Sequence, residues 1–437
     1  MHPPWLQSLL DTNSKAPKLY AWGLSDVEGT PQVSSSHDGQ QKNNVRQRIH
    51  ILGVGNLGIL FASSLASLPN PPPITLVFHR KDLLLAWKRE PGLEISRNGS
   101  VFKHSAFDVE LWSEEPPPSG DAREVADGRV IQNLLVTTKA SQALPEVDRV
   151  RRYLDGNSTV AFAQNGMCKM WPPHGTTYVS ARYPHDKSIA SPNWLACVTT
   201  HGVTSLGRFK SVHASDADVK VGPVLLNQEA PNSACYFSDV LTRAPNLHAR
   251  AVARDDLWVL QLEKLVVNSI INPLTAVLRC KNGQLFAEDG SPVSKVINVL
   301  LFEASRVLQA LLNDRSADSI LQSDPGMETA AKGGKVTRSA LSERFSQPNL
   351  RKMLYEVGHK VRENTSSMLQ DVRAGKQTEI DEFNGWLVDM ASYLDPSLDV
   401  ASHKILIGLV KNGAVLDAGS LIKHFPLLAA HQGTSEA

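Results

Sequence analysis

The chain has 437 residues, with 45 Lys plus Arg against 44 Asp plus Glu and a formal net charge of +1. It therefore carries no global field to attract nucleic acid or an anionic membrane, and its length calls for more than one domain. Its four cysteines, Cys168, Cys197, Cys235 and Cys280, are dispersed, with neither a C-x-x-C pair nor histidine spacing that would mark zinc; a disulfide framework and a metal site are not expected.

The first 46 residues are polar, rich in Ser, Gln and Asn, and lack a secretory h-region. We read residues 1–46 as disordered. Asp11, Asp26, Glu28 and Asp38 argue against a mitochondrial presequence, so a cytoplasmic location is expected, with mitochondrial import left open. No apolar run approaches the ~20 residues that span a bilayer.

From Arg48 the chain reads Arg-Ile-His-Ile-Leu-Gly-Val-Gly-Asn-Leu-Gly58: a short apolar strand, a G-x-G-x-x-G turn and the start of a helix. Gly53 permits the sharp turn, Gly55 leaves room for a pyrophosphate against the main chain, and Gly58 lets the helix pack close to the strand. Ile59–Leu68 continues as an apolar helix whose N-terminus would hold the phosphates. The second strand, Ile74–Phe78, ends in His79-Arg80-Lys81 rather than an acidic residue, which suits the 2′-phosphate of NADP. The Pro69–Pro73 insert makes the spacing to those cations unusual, and a plain solvated loop is the competing reading.

Short apolar runs at Asn133–Thr138, Thr159–Ala163 and Thr177–Ala181 alternate with helical or turn-rich segments and imply βαβ units around a mostly parallel sheet. Trp194–Val224 alternates in strand fashion, with turn signals at Gly202, Gly207 and Asp216, and is expected as antiparallel strands at the sheet edge. After Ala244-Pro245 the periodicity turns helical, with segments at 253–279, 293–312, 349–373, 379–393 and 402–412. The stretch 313–349 breaks that pattern and is read as a mobile insertion. The expected architecture is α/β: a Rossmann-type dinucleotide-binding domain over 47–246, an all-helical substrate and catalytic domain over 247–430, and a disordered tail over 431–437.

The helix that opens the second domain is apolar on nearly every face, but Lys264, Asn268 and Asn272 fall at i, i+4 and i+8. At ~100° per residue they form one polar line. Desolvation lowers a lysine pKa, which fits such a residue for general-acid work; a snorkelling lysine with asparagines bonded to neighbouring helices is the bland alternative. Pro273 removes an intrahelical donor and leaves the Ser269 carbonyl free. Further on, Gly375 reads as a C-cap, Thr378 as the N-cap of the next helix, and Glu379 and Asp381 as first-turn acids with a dipole role of their own.

These segments resemble the ketopantoate reductase family. The resemblance rests on Gly53–Gly58, Leu134–Ala140, Gln164-Asn-Gly-Met167, Lys264–Ala276, and Ser366-Ser-Met-Leu-Gln-Asp371 with Thr378-Glu-Ile-Asp381, all in family order. It implies that Gly53, Val54, Gly55, Asn56, Leu57 and Gly58 bind the pyrophosphate of NADPH and Arg80 its 2′-phosphate. Lys139 and Asn165 would line the cofactor and reaction cleft, and Val203 would meet the cofactor through its backbone. Lys264 would be the general acid, with Asn165, Asn268, Asn272, Asn282 and Ser367 around the keto acid and Glu379 near the nicotinamide ribose and the lysine. The implied reaction is reduction of ketopantoate to pantoate, in the branch that feeds coenzyme A. Another 2-keto acid could be the substrate of the same machinery, and a non-catalytic NADPH-binding regulator or assembly factor is a third reading. A small-molecule partner is expected, with no nucleic acid or membrane, and a homodimer is compatible with the resemblance.

Overall fold

The computed structural model describes residues 2–12, 15–27, 45–118, 121–184, 190–227, 230, 233–321 and 337–429. They fall in two compact units: Ser8–Leu257, and Met1–Gln7 with Trp258–Ala437. The division lies later in the chain than the expected 246/247.

The strands of the first unit, in chain order, are β1 (Tyr20–Trp22), β2 (Ile49–Leu52), β3 (Ile74–Phe78), β4 (Leu93–Arg97), β5 (Ser100–His104), β6 (Asp108–Ser113) and β7 (Asn133–Val136). They continue as β8 (Thr159–Phe162), β9 (Asn193–Thr199), β10 (Gly202–Gly207), β11 (Lys210–Ser215), β12 (Val219–Leu225) and β13 (Ala249–Ala251). Nine form one sheet in the order β1-β6-β3-β2-β7-β8-β9-β12-β13. From β6 to β9 every pairing is parallel, and β2, β3, β7 and β8 are buried along their whole length. Such strands have both faces covered, hence their unbroken apolar runs. β2 lies between β3 and β7, with Ile49 opposite both Ile74 and Asn133. The strand order reverses about β2, with β3 and β6 on one side of it and β7, β8 and β9 on the other, and a ligand crevice opens beyond the C-terminal ends of strands at such a switch point. The helix α1 (Asn56–Ala66) starts there.

Several expectations are corrected. Residues 1–46 are not uniformly disordered: Pro4–Asp11 is helical, and β1 pairs antiparallel with β6, Tyr20 opposite Ser113. The Leu19 N–H donates to the Tyr153 hydroxyl at 2.8 Å, and Ala21 is fully buried; Leu19-Tyr-Ala-Trp22 is an apolar strand signal masked by the polar composition around it. Residues 28–44 lie outside the described residues. Thr177–Ala181, expected as a strand, belongs to the helix His174–Arg182, since a five-residue run cannot by itself distinguish the two. Of the 194–224 strands, β9 and β12 pair antiparallel in the large sheet, whereas β10 and β11 leave it for a four-stranded sheet ordered β10-β11-β4-β5.

In the second unit the main helices are α2 (Arg254–Leu278, whose first residues belong to the first unit), α3 (Pro292–Asn313), α4 (Gln347–Lys360), α5 (Ser367–Arg373), α6 (Trp386–Leu394) and α7 (Ala401–Lys411). The helix expected over 349–373 breaks between α4 and α5, where Ser366 caps a new start by accepting from Leu369 N at 3.1 Å. The expected insertion at 313–349 contains the helices Asp318–Leu321 and Arg338–Arg344, and its interior, 322–336, lies outside the described residues, as does the tail 431–437. α3 also overturns the expectation about apolar runs: its 22 residues have a mean hydropathy of 1.3 over their most apolar window, long and apolar enough to cross a membrane. Val296, Ile297, Leu300, Leu301, Ala304, Val307 and Leu308 are nevertheless fully buried, so the helix reads as a core element. On it Glu303 accepts from Ser402 N at 2.9 Å and His403 N at 3.2 Å. This carboxylate caps α7 from a neighbouring helix, which compensates its burial.

Candidate functional site

The glycine turn separates structural glycines from one that faces open space. Gly53 has φ +99°, and a Cβ there would lie 2.8 Å from Thr138 N. A Cβ on Gly58 would lie 2.2 Å from the Gly53 carbonyl oxygen, which also accepts from the Thr137 hydroxyl. Gly55 is exposed and has nothing within 4 Å of the position a Cβ would take. It is the N-cap of α1 and supplies no side-chain cap, so the first N–H groups of the helix meet no capping oxygen from it. An open cradle at a helix N-terminus fits a dinucleotide pyrophosphate. Val54 and Leu57 turn their side chains to the core, leaving their main chain as the part suited to a ligand.

Around this turn, the Asn56 amide donates to the Val203 carbonyl at 3.4 Å and accepts from the Ser211 hydroxyl at 3.0 Å. These bonds tie the turn to the β10–β11 hairpin. Arg80 is the exposed N-cap of the helix Lys81–Arg89, and its Nε lies 3.3 Å from Asp82 Oδ1. Arg208 meets the other oxygen of Asp82 at 3.2 Å, so one carboxylate holds two guanidiniums; Arg208 is remote in the chain, and no local motif marks it. Lys139 is the exposed N-cap of the helix Ala140–Val150, and Asn165 is half-buried in the turn after β8.

His201, His213 and Asp216, at the base of the same hairpin, could by type hold a metal ion. Their ring nitrogens are already used in a directed chain. Arg97 Nε donates to His213 Nδ1 at 3.3 Å, His213 Nε2 lies 2.9 Å from His201 Nδ1, and His201 Nε2 lies 3.0 Å from the Leu247 carbonyl. This assigns both tautomers as Nε2–H and accounts for the cluster without an ion.

In the second unit, Lys264, Asn268 and Asn272 follow one another along α2, with Asn272 buried and the other two half-buried. Desolvation lowers the Lys264 pKa to about 8, and the charge of Glu379 opposes the shift. Lys264 and Glu379 thus act on one another within one unit. Asn282 is buried; its amide donates to the Val361 carbonyl at 3.3 Å, while its Oδ1 is buried with no hydrogen-bond partner among the described residues. Ser367 is exposed at the first position of α5. Its neighbour Ser366 is buried, and its hydroxyl lies 2.6 Å from that of Thr275 on α2. Gly375 has φ +62°, and Lys376 N donates back to the Asp371 carbonyl at 2.8 Å, as a C-cap requires. Thr378 is not the N-cap of the next helix: the chain enters a π turn, Asp381–Gly385, through Ile380. Asn384 in that turn donates to the Ser269 carbonyl at 2.9 Å, the group that Pro273 leaves without a helical donor. The vacant carbonyl is visible in the sequence; the residue that fills it is not.

The geometry therefore supplies two features, each within its own unit: a phosphate cradle at the switch point of a parallel sheet, and a helix bearing an amine whose pKa burial lowers to about 8, in line with two amide side chains. Residues 49–225 match the family described as "Ketopantoate reductase PanE/ApbA", and residues 256–414 match "Ketopantoate reductase PanE/ApbA C terminal". The chain is 44% identical to the ketoisovalerate reductase BEA2 of Gibberella fujikuroi, over 94% of this chain and 96% of that one. It is 40% identical to the ketoisovalerate reductase of Beauveria bassiana, over 97% and 98%. The fold is that of a probable 2-dehydropantoate 2-reductase from Bacillus subtilis, with a TM-score of 0.56, 22% identity, and coverage of 84% of this chain and 99% of that one. Cradle, lysine helix and matches across both halves agree: the chain belongs to the ketopantoate reductase family, as a keto acid reductase that works with a nicotinamide dinucleotide.

Proposed function

We propose that this protein reduces 2-ketoisovalerate to 2-hydroxyisovalerate with NADPH. The observation that carries the substrate is the near-full-length identity of 44% and 40% to two proteins named ketoisovalerate reductase. It favours a different 2-keto acid over the ketopantoate expected from the family resemblance. The two substrates share the 2-keto acid and its branched carbon; ketopantoate adds a hydroxymethyl group at C3. A pocket built to hydrogen-bond that hydroxyl strongly rejects a substrate lacking it, whereas an apolar pocket discriminates less.

Gly53–Gly58 would hold the pyrophosphate, Arg80 the 2′-phosphate, and Lys139, Asn165, the Val203 backbone and Glu379 the rest of the cofactor. When bound, the nicotinamide supplies a hydride. Lys264 meets the negative charge that grows on the C2 oxygen and protonates it. With a pKa of about 8 its ammonium form predominates at neutral pH, yet it releases its proton more readily than an ordinary lysine. Asn165, Asn268, Asn272, Asn282 and Ser367 would orient the substrate by uncharged hydrogen bonds, which leave the ammonium as the main electrostatic partner of the oxyanion.

The test is a comparison of kcat/KM for 2-ketoisovalerate and ketopantoate, followed by NADPH consumption. A preference for 2-ketoisovalerate of ~10-fold or more is expected; the reverse preference would return the chain to ketopantoate.

A further inference from the structure

The π turn Asp381–Gly385 holds a residue that the mechanism above does not use. Asn384 is fully buried, and its Nδ2 lies 2.9 Å from the Ser269 carbonyl and 2.9 Å from His403 Nδ1. His403 Nε2 lies 3.2 Å from the Leu300 carbonyl, so the ring carries its hydrogen on Nε2 and accepts at Nδ1. Asn384 thus commits both amide hydrogens, one to α2 and one to α7. Rotating the amide would place Oδ1 against the Ser269 oxygen, acceptor against acceptor, which fixes its orientation. The main chain beside His403 is itself held by Glu303 of α3.

The bond to Ser269 falls at an informative place. Ser269 follows Asn268 directly, and its carbonyl is the one whose helical donor is missing because Pro273 has no N–H. Asn384 lies one turn beyond Glu379, the charged group that acts on Lys264. A single amide therefore joins the helix of the proposed acid to the segment of its counter-ion. π turns recur at functional sites because the extra residue re-aims the chain around it.

We propose that Asn384 is a positioning residue for the reduction: through the Ser269 carbonyl that Pro273 opens, it sets Glu379 against Lys264, with His403 holding its amide in place. The inference rests on the reading of Lys264 as general acid. Asn384 makes no substrate contact in this role, and its loss should move the chemistry rather than cofactor binding.

The experiment compares wild type, Asn384→Ala, Lys264→Ala and the double variant Pro273→Ala/Asn384→Ala, each with thermal unfolding, NADPH affinity, and kcat for 2-keto acid reduction as a function of pH. In the double variant, replacing Pro273 restores an N–H for the Ser269 carbonyl, so the helix is satisfied without Asn384. Asn384→Ala should lower kcat by ~10-fold or more with NADPH affinity retained, and the alkaline limb of kcat should move to lower pH as Glu379 loses its hold on Lys264. The double variant should regain stability while keeping the displaced limb. A folded Asn384→Ala or double variant with wild-type kcat and limb would overturn the inference and leave Asn384 a structural bond. If Lys264→Ala kept wild-type kcat, the acid reading would fail and this inference with it; an inactive Lys264→Ala beside an unchanged Asn384→Ala limb would remove the inference alone.

Discussion

Gly55→Ala should separate the ligand surface of the glycine turn from its scaffold. At Gly55 φ is −86° and ψ −164°, an extended conformation open to alanine, and nothing lies within 4 Å of the new methyl. The folded state therefore loses little. Alanine is a poorer N-cap than glycine, but it also restricts the unfolded chain, and the two effects largely offset, leaving a change within about 1 kcal/mol. The methyl does stand in the open cradle, so NADPH affinity should fall ~10²-fold, or about 2.7 kcal/mol. Gly58→Ala is the converse control. Its Cβ would meet the Gly53 carbonyl at 2.2 Å, an overlap with main chain that α1 must move to relieve, at a cost to stability of about 1–3 kcal/mol. Thermal unfolding and fluorescence titration with NADPH, run on both variants, read the two effects separately. A Gly55→Ala protein of normal stability that binds NADPH as wild type does would refute the placement of the pyrophosphate.

Arg80→Glu should weaken NADPH far more than NADH, by ~10-fold or more in the ratio of their dissociation constants, and an unchanged ratio would remove Arg80 from the 2′-phosphate site. The ammonium of Lys264 is the acting form, so kcat should hold below its pKa of about 8 and decline as pH rises through it; a flat profile in that range would contradict the assignment. His50 and His403 are buried neutral, each with its pKa lowered from 6.5 to about 4 by desolvation. The unfolded chain takes up these protons first, so stability is full above the unfolded pKa of 6.5 and is lost as pH falls toward about 4, at roughly 3 kcal/mol per histidine over that window. Urea unfolding that shows no loss of stability across that window would refute this.

The parts of the fold written in local signals were legible. The α/β class followed from Ile49–Leu52, Ile74–Phe78 and Asn133–Val136, whose strands are buried on both faces and therefore apolar without interruption. The polar line Lys264, Asn268 and Asn272 was legible because helical spacing fixes which residues share a face. Partners remote in the chain were not. β1 depends on an edge offered by β6, and β10 and β11 depend on β4 to hold them in a second sheet, pairings that no local pattern encodes. The same holds at the site. Pro273 announces a vacant carbonyl, but the choice of Asn384 to fill it is made by tertiary packing, and Arg208 reaches Asp82 only because the hairpin folds back.

The most direct test of the proposed reduction is the rate of NADPH oxidation by the purified protein on addition of 2-ketoisovalerate, measured beside Lys264→Ala. Turnover by wild type is expected, with a loss of ~10²-fold or more in kcat for the variant and NADPH affinity nearly intact. Tight NADPH binding without turnover of 2-ketoisovalerate or ketopantoate, or turnover that survives the loss of the lysine, would contradict it.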